Sequence, residues 1–115
     1  LNPKDKAAVG RVPLHLLPAA GRIYGALACK DGAAKYGPYN WRDKPISLMG
    51  YTGAIERHLL AVRDGEDVAL DSFCEHLGHI IATASILLDA RECGALIDDR
   101  PLPGPAPRLL KEKST

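Results

Sequence analysis

The stretch that decides the fold runs from Asp71 to Gly94: DSFCEHLGHIIATASILLDARECG. Its opening, Ser72-Phe73-Cys74-Glu75, has the spacing of a capping box. The serine hydroxyl would accept from the N–H three residues on, and the glutamate would reach back to the serine N–H. Behind it Leu77, Ile81, Ala84 and Leu88 recur at helical intervals, with Ile80 and Leu87 widening that face. Gly94 supplies a stop, because glycine enters the left-handed region without a Cβ clash. The pattern predicts a helix opening at Ser72 and closing before Gly94.

Upstream, a second helix is predicted from Ser47 to Asp64, with Leu48, Tyr51, Ile55, Leu59 and Val62 on one stripe and Glu56 and Arg63 off it. Asp64-Gly65 ends it. Only residues 65–71 connect the two helices, which favours an antiparallel hairpin. A third helix follows Pro18, whose missing N–H costs nothing in a first turn. Ala20, Ile23 and Leu27 recur along it, and its many alanines and glycines imply close approach to a neighbour. It is open to interruption at Asp31-Gly32 and must end by Gly37-Pro38. The segment GPYNWRDKP (37–45) is expected to be a loop, carrying the only tryptophan. Residues 1–12 are expected to form an irregular polar arm. Residues 98–115 are proline-rich and expected to be an extended tail along the body or a partner. The organisation is thus one helical domain over residues 1–97 and a tail over 98–115.

Composition agrees with this class. Hydrophobic residues make up 46% of the chain but aromatics only 5%, so the apolar content is mostly Ala, Leu, Ile and Val, which suits helix packing better than a β-sandwich. The expected fold is all-α, three main helices in an antiparallel bundle. Ile80, Ile86 and Leu87 lie beside the main stripe and leave apolar surface unmatched. A homo-oligomer, either a dimer or a dimer of dimers, would complete a four-helix-like core. A net charge of +1, from 15 basic and 14 acidic residues, argues against a duplex nucleic-acid surface. Cys29, Cys74 and Cys93 are odd in number and form no CxxC pair, as expected of reduced thiols in a cytoplasmic protein. No segment approaches the roughly 18 apolar residues of a membrane span, and no secretory signal pattern opens the sequence.

Two groups of side chains could carry chemistry. Glu75, His76 and His79 share a face at helical spacing, and carboxylate oxygen and imidazole nitrogen both ligate divalent metals. Glu56, Arg57 and His58 sit on the preceding helix, where the hairpin brings them near. Glu56, His58, Glu75, His76 and His79 are therefore candidate metal ligands, and Glu56, Glu75 and His79 candidate catalytic groups. The alternatives are that Glu75 serves the capping box, that the histidines are hydrogen-bonded across the helix interface, and that Glu56 and Arg57 are surface charges. The second group is Lys30, Lys35, Tyr36, Tyr39, Asn40, Trp41 and Arg42. Cations neutralise phosphates, aromatic rings stack on bases and asparagine reads a base edge. The alternative is that Trp41 and Tyr36 anchor a loop to a small core. No P-loop, GxGxxG turn or GxSxG elbow occurs, so P-loop hydrolysis, dinucleotide redox and serine-hydrolase chemistry drop out.

Four stretches, VPLHLLP (12–18), GAAKYGPYNW (32–41), AIERHLLAVRDGEDV (54–68) and DSFCEHLGHIIA (71–82), together resemble the N-terminal domain of dATP/dGTP diphosphohydrolase. The family is related to MazG-type all-α nucleotide pyrophosphohydrolases. The resemblance implies cleavage of a nucleoside triphosphate between its α and β phosphates, with Mg2+ or Mn2+ held by acids on two helices, and a purine deoxynucleotide as substrate. Its motif positions fall on Lys35, Tyr36, Gly37, Asn40 and Trp41, on Arg57 and His58, and on His76 and His79. It implies phosphate contacts from Lys35 and Arg57, base contacts from Tyr36, Asn40 and Trp41, and metal or proton roles for Glu56, Glu75 and the histidines. The wider MazG pattern is Glu-x-x-Glu and then Glu-x-x-Asp. Here Glu56 is followed by Leu59, and Glu75 by Gly78. The rival expectation is a non-catalytic helical module, a phage structural or accessory protein or a nucleotide-binding remnant, and a third is a single-metal phosphohydrolase using His58, His76 and His79.

Overall fold

The computed structural model describes residues 2–115. It holds five helices, α1 (Pro3–Ala8), α2 (Ala19–Tyr36), α3 (Leu48–Arg63), α4 (His76–Glu92) and α5 (Ala106–Lys113), with two short strands, β1 (Ile46–Ser47) and β2 (Leu96–Ile97). The fold is predominantly helical, as expected, but it is not a simple three-helix bundle. Helix α4 packs against both α2 and α3, which make no comparable contact with each other. Small residues account for this arrangement. A Cβ on Gly25 would lie 2.8 Å from the Ile81 side chain, and one on Gly78 would lie 2.6 Å from the Tyr24 carbonyl oxygen. These two glycines let α2 settle backbone-close onto the N-terminal half of α4.

That close approach also rearranges the expected core. On α4 the buried residues are His76, Gly78, Ala82, Leu87 and Ala90, whereas Leu77 and Leu88 from the predicted stripe are 53% and 54% exposed. With a neighbour on each side, the helix buries two narrow faces in place of one wide one. On α3, Leu48, Tyr51 and Ile55 do pack on the cluster of Ile46, Leu87, Ala90 and Ala95, as their spacing predicts. On α2 the buried residues are Gly25 and Ala28, while Ile23 and Leu27 stand half exposed.

Three further expectations are corrected. Helix α2 runs unbroken through Asp31-Gly32 and ends where Gly37 turns to φ 87°. The irregular arm contains α1, capped by the Asn2 side chain, which accepts from Lys4 N–H; Leu1 of that arm lies outside the described residues. The extended tail contains α5, which starts one residue after Pro105 and has no buried residue. The radius of gyration is 17.5 Å, against about 13 Å for a compact chain of this size, because these end segments project from the body.

The two-residue ladder was not legible, having no periodicity to read. Ile46 pairs with Leu96 and Ser47 with Ile97 in parallel. Its register brings Asp99 to the start of α3, where it accepts from Ser47 Oγ and from Met49 N–H at 2.9 Å. Ser47 Oγ in turn accepts from Gly50 N–H at 2.9 Å. Two of the helix's unpaired N–H groups are thereby satisfied.

The 37–45 loop is fastened by Asp89 on α4. Trp41 Nε1 donates to Asp89 Oδ2 at 2.7 Å, and Arg42 forks onto both carboxylate oxygens at 2.9 and 2.8 Å. The Arg42 fork and the indole N–H hold the Asp89 carboxyl down to about 2. A group held this low contributes stability above its unfolded value and loses it as pH falls toward the folded one. Asp89→Asn is expected to lower the midpoint of thermal unfolding at pH 7. The gap from wild type should close as both are acidified through pH 4 toward 2, read by circular dichroism; a gap that persists at pH 2 would rule out the charged clamp.

Candidate functional site between three helices

The predicted capping box does not form. Helix α4 begins at His76 with Glu75 at its cap position and no side-chain cap. The chain before it folds back instead, through a bridge between Val68 and Glu75 and a turn in which Phe73 N–H donates to the Ala69 carbonyl. Phe73 sits at φ 58°. Freed from capping, Ser72 Oγ meets His79 Nε2 at 2.7 Å and accepts from Cys74 N–H at 3.2 Å.

Antiparallel packing of α3 on α4 brings the three expected histidines together. His58 Nδ1 lies 2.8 Å from His76 Nδ1, and the His58 ring stacks on His79 with centroids 4.6 Å apart and planes 9° from parallel. His76 is buried, and its Nε2 is 2.6 Å from Glu66 Oε1. A carboxylate accepts and does not donate, so His76 Nε2 carries a proton. In the neutral form of His76, Nδ1 is an acceptor and His58 Nδ1 the donor, and in that form the lone pair of His58 lies on Nε2. Burial pushes the His58 and His79 imidazoles below the usual histidine value, and neighbouring imidazoles add to the shift on both.

Two members of this network were missed in the sequence. Glu66 lies within the 65–71 connection with no motif of its own, and Ser72 has the spacing of a cap. The available signal was that an acid in a short connection between two histidine-bearing helices is within reach of both. Around the network lie Asp31 and Lys35 of α2, whose side chains meet at 3.0 Å. Both act electrostatically on His79, as does Asp71.

The other expected residues are placed apart. Glu56 and Arg57 are exposed, and Glu56 lies two residues, about 200° of helix rotation, from His58. Glu75 lines a groove on the α2 side of α4. Tyr36 is 73% exposed at the end of α2. Asn40 opens the short turn of residues 40–42, where Trp41 and Arg42 serve the clamp on Asp89. Tyr39 joins them, its ring 5.2 Å from Trp41 and 4.5 Å under the Arg42 guanidinium.

The divalent ion implied by the resemblance can be tested against this arrangement. Mg2+ demands oxygen ligands in near-octahedral array. The cluster instead offers ring nitrogens already hydrogen-bonded to one another, to Glu66 and to Ser72. Among the described residues no group of three or more His, Cys, Asp or Glu side chains is arranged to hold an ion. As they stand, these ring nitrogens are committed to hydrogen bonds and are not arranged as the ligands of a resident ion.

Glu66, His76 and His58 thus form a hydrogen-bonded carboxylate–imidazole–imidazole chain, with the groove lined by Glu75 beside it across Ser72. The chain belongs to the family described as dATP/dGTP diphosphohydrolase, N-terminal, whose profile matches residues 1–100. No curated protein and no solved structure matches it. No helix of the described residues is long and apolar enough to cross a membrane.

Proposed function

We propose that this chain is a nucleoside triphosphate pyrophosphohydrolase acting on purine deoxynucleotides, yielding a nucleoside monophosphate and pyrophosphate. The observation that carries the reading is the hydrogen-bonded chain Glu66–His76–His58, set in a domain of this family. Glu66 fixes the His76 tautomer, and His76 fixes that of His58. His58 Nε2 then takes the proton of a water attacking the α-phosphorus. His79, stacked on His58 and held by Ser72, keeps the base ring in place. Lys35 neutralises phosphate oxygens as a point charge. In this reading Mg2+ or Mn2+ arrives as the counter-ion of the triphosphate, as part of the substrate.

The test is turnover of dGTP and dATP with Mg2+ or Mn2+. Pyrophosphate and monophosphate are the expected products. Release of inorganic phosphate would overturn the bond assignment. Absence of both binding and turnover would favour the non-catalytic module.

We also propose that the active species is a homo-oligomer in the cytoplasm. Among the described residues no large side chain is fully buried, and Leu77 and Leu88 on α4 with Leu60 on α3 are half exposed or more. Such a surface is characteristic of subunit contacts.

A further inference from the structure

A groove of about 420 Å³ separates α2 from the 68–75 loop, in the size range of small-molecule sites. Its walls are apolar and aromatic at Tyr24, Leu27, Val68 and Phe73, and its polar and charged groups are Lys30, Asp31, Ser72 and Glu75, with Asp31 already paired to Lys35. Ser72 is the group that hydrogen-bonds His79, so the groove and the histidine network are adjacent.

Phe73 stands out. It is held at φ 58°, a left-handed conformation that costs a bulky residue dearly and is tolerated mainly where the surroundings impose it. Burial does not repay that cost, because Phe73 is 80% exposed. Nothing in the packing of the body explains why an aromatic ring stands in this turn where glycine would sit without strain. A ring displayed at the lip of a groove, with Tyr24 nearby, has the chemistry to stack on a flat heterocycle. The Glu75 carboxylate makes no side-chain hydrogen bond among the described residues and can accept from a base N–H. Trp41, the other aromatic expected to meet the base, has its indole N–H committed to Asp89.

We infer that this groove is the purine-binding subsite, with Phe73 as its stacking platform and Glu75 reading an N–H edge of the base. The inference rests on the pyrophosphohydrolase reading, since Ser72 both lines the groove and meets His79, which makes a base seated here a neighbour of the histidines.

The test compares dGTP with inorganic tripolyphosphate, which has no base, by calorimetry on wild type, Phe73→Gly and Phe73→Trp. Phe73→Gly is expected to weaken dGTP binding by about tenfold or more, the worth of a lost stacking contact, and to leave tripolyphosphate binding unchanged. It should also raise the thermal midpoint, because glycine relieves the strained turn. Phe73→Trp is expected to restore dGTP affinity. Unchanged dGTP binding in a folded Phe73→Gly, with wild type still turning dGTP over, would overturn the groove assignment alone. Equal weakening of dGTP and tripolyphosphate would overturn it too. Failure of wild type to bind dGTP would overturn the pyrophosphohydrolase reading and this subsite with it.

Discussion

Gly78→Ala is expected to destabilise the domain by about 3 kcal/mol, the upper end of the range for overpacking a tight interface. The added methyl would sit 2.6 Å from the Tyr24 carbonyl oxygen and 3.1 Å from its carbon. Those atoms belong to the backbone of α2, which cannot rotate out of the way as a side chain can. The two helices must separate along the contact, and the small core has little else to absorb the shift. Gly25→Ala meets only the Ile81 side chain, at 2.8 Å, and should cost less because a side chain can rearrange. Gly104→Ala meets nothing within 4 Å and serves as the neutral control. Thermal unfolding followed by circular dichroism should show a drop of about 10 °C for Gly78→Ala. If Gly78→Ala melts with the Gly104 control, the backbone-close packing of α2 on α4 is wrong.

The same contact shows what the sequence could and could not disclose. The abundance of glycine and alanine in residues 19–36 pointed to a close neighbour, and α3 and its stop at Asp64-Gly65 followed from periodicity and turn chemistry. The inner face of α4 did not. A stripe of Leu77, Ala84 and Leu88 is the natural apolar face of a helix packed on one side, but α4 is packed on two, and Gly78, Ala82 and Ala90 take buried positions beside His76 and Leu87. Ser72 was misjudged for a related reason. Its spacing to Glu75 suits a cap, yet the bridge between Val68 and Glu75 diverts the chain before a cap can form. The histidines of the site were legible as a spacing on two helices. Glu66 and the groove were not, since both depend on how residues 64–75 fold back on the body.

Substituting His58 tests the site most directly. His58→Gln is expected to cut kcat/KM by 10²–10⁴, roughly the contribution of a positioned general base. Glu66→Gln keeps an acceptor for His76 Nε2–H and removes only its charge, so a smaller loss is expected. The pH profile separates these roles. Burial, and then the imidazoles of His79 and His76, push the His58 imidazole below its ordinary value, so it remains an unprotonated base at pH 7. The acid limb of kcat/KM is therefore expected below the usual histidine range. It should reflect the coupled imidazoles and not one residue. The sign for stability follows from the same shift. An imidazole whose folded value is depressed resists the proton that the unfolded chain accepts, so stability is fully present above about pH 6.5. It declines as pH falls through that value toward the folded one. A structural role alone would give His58→Gln a lower thermal midpoint with turnover and acid limb unmoved, and that outcome would remove His58 from the chemistry.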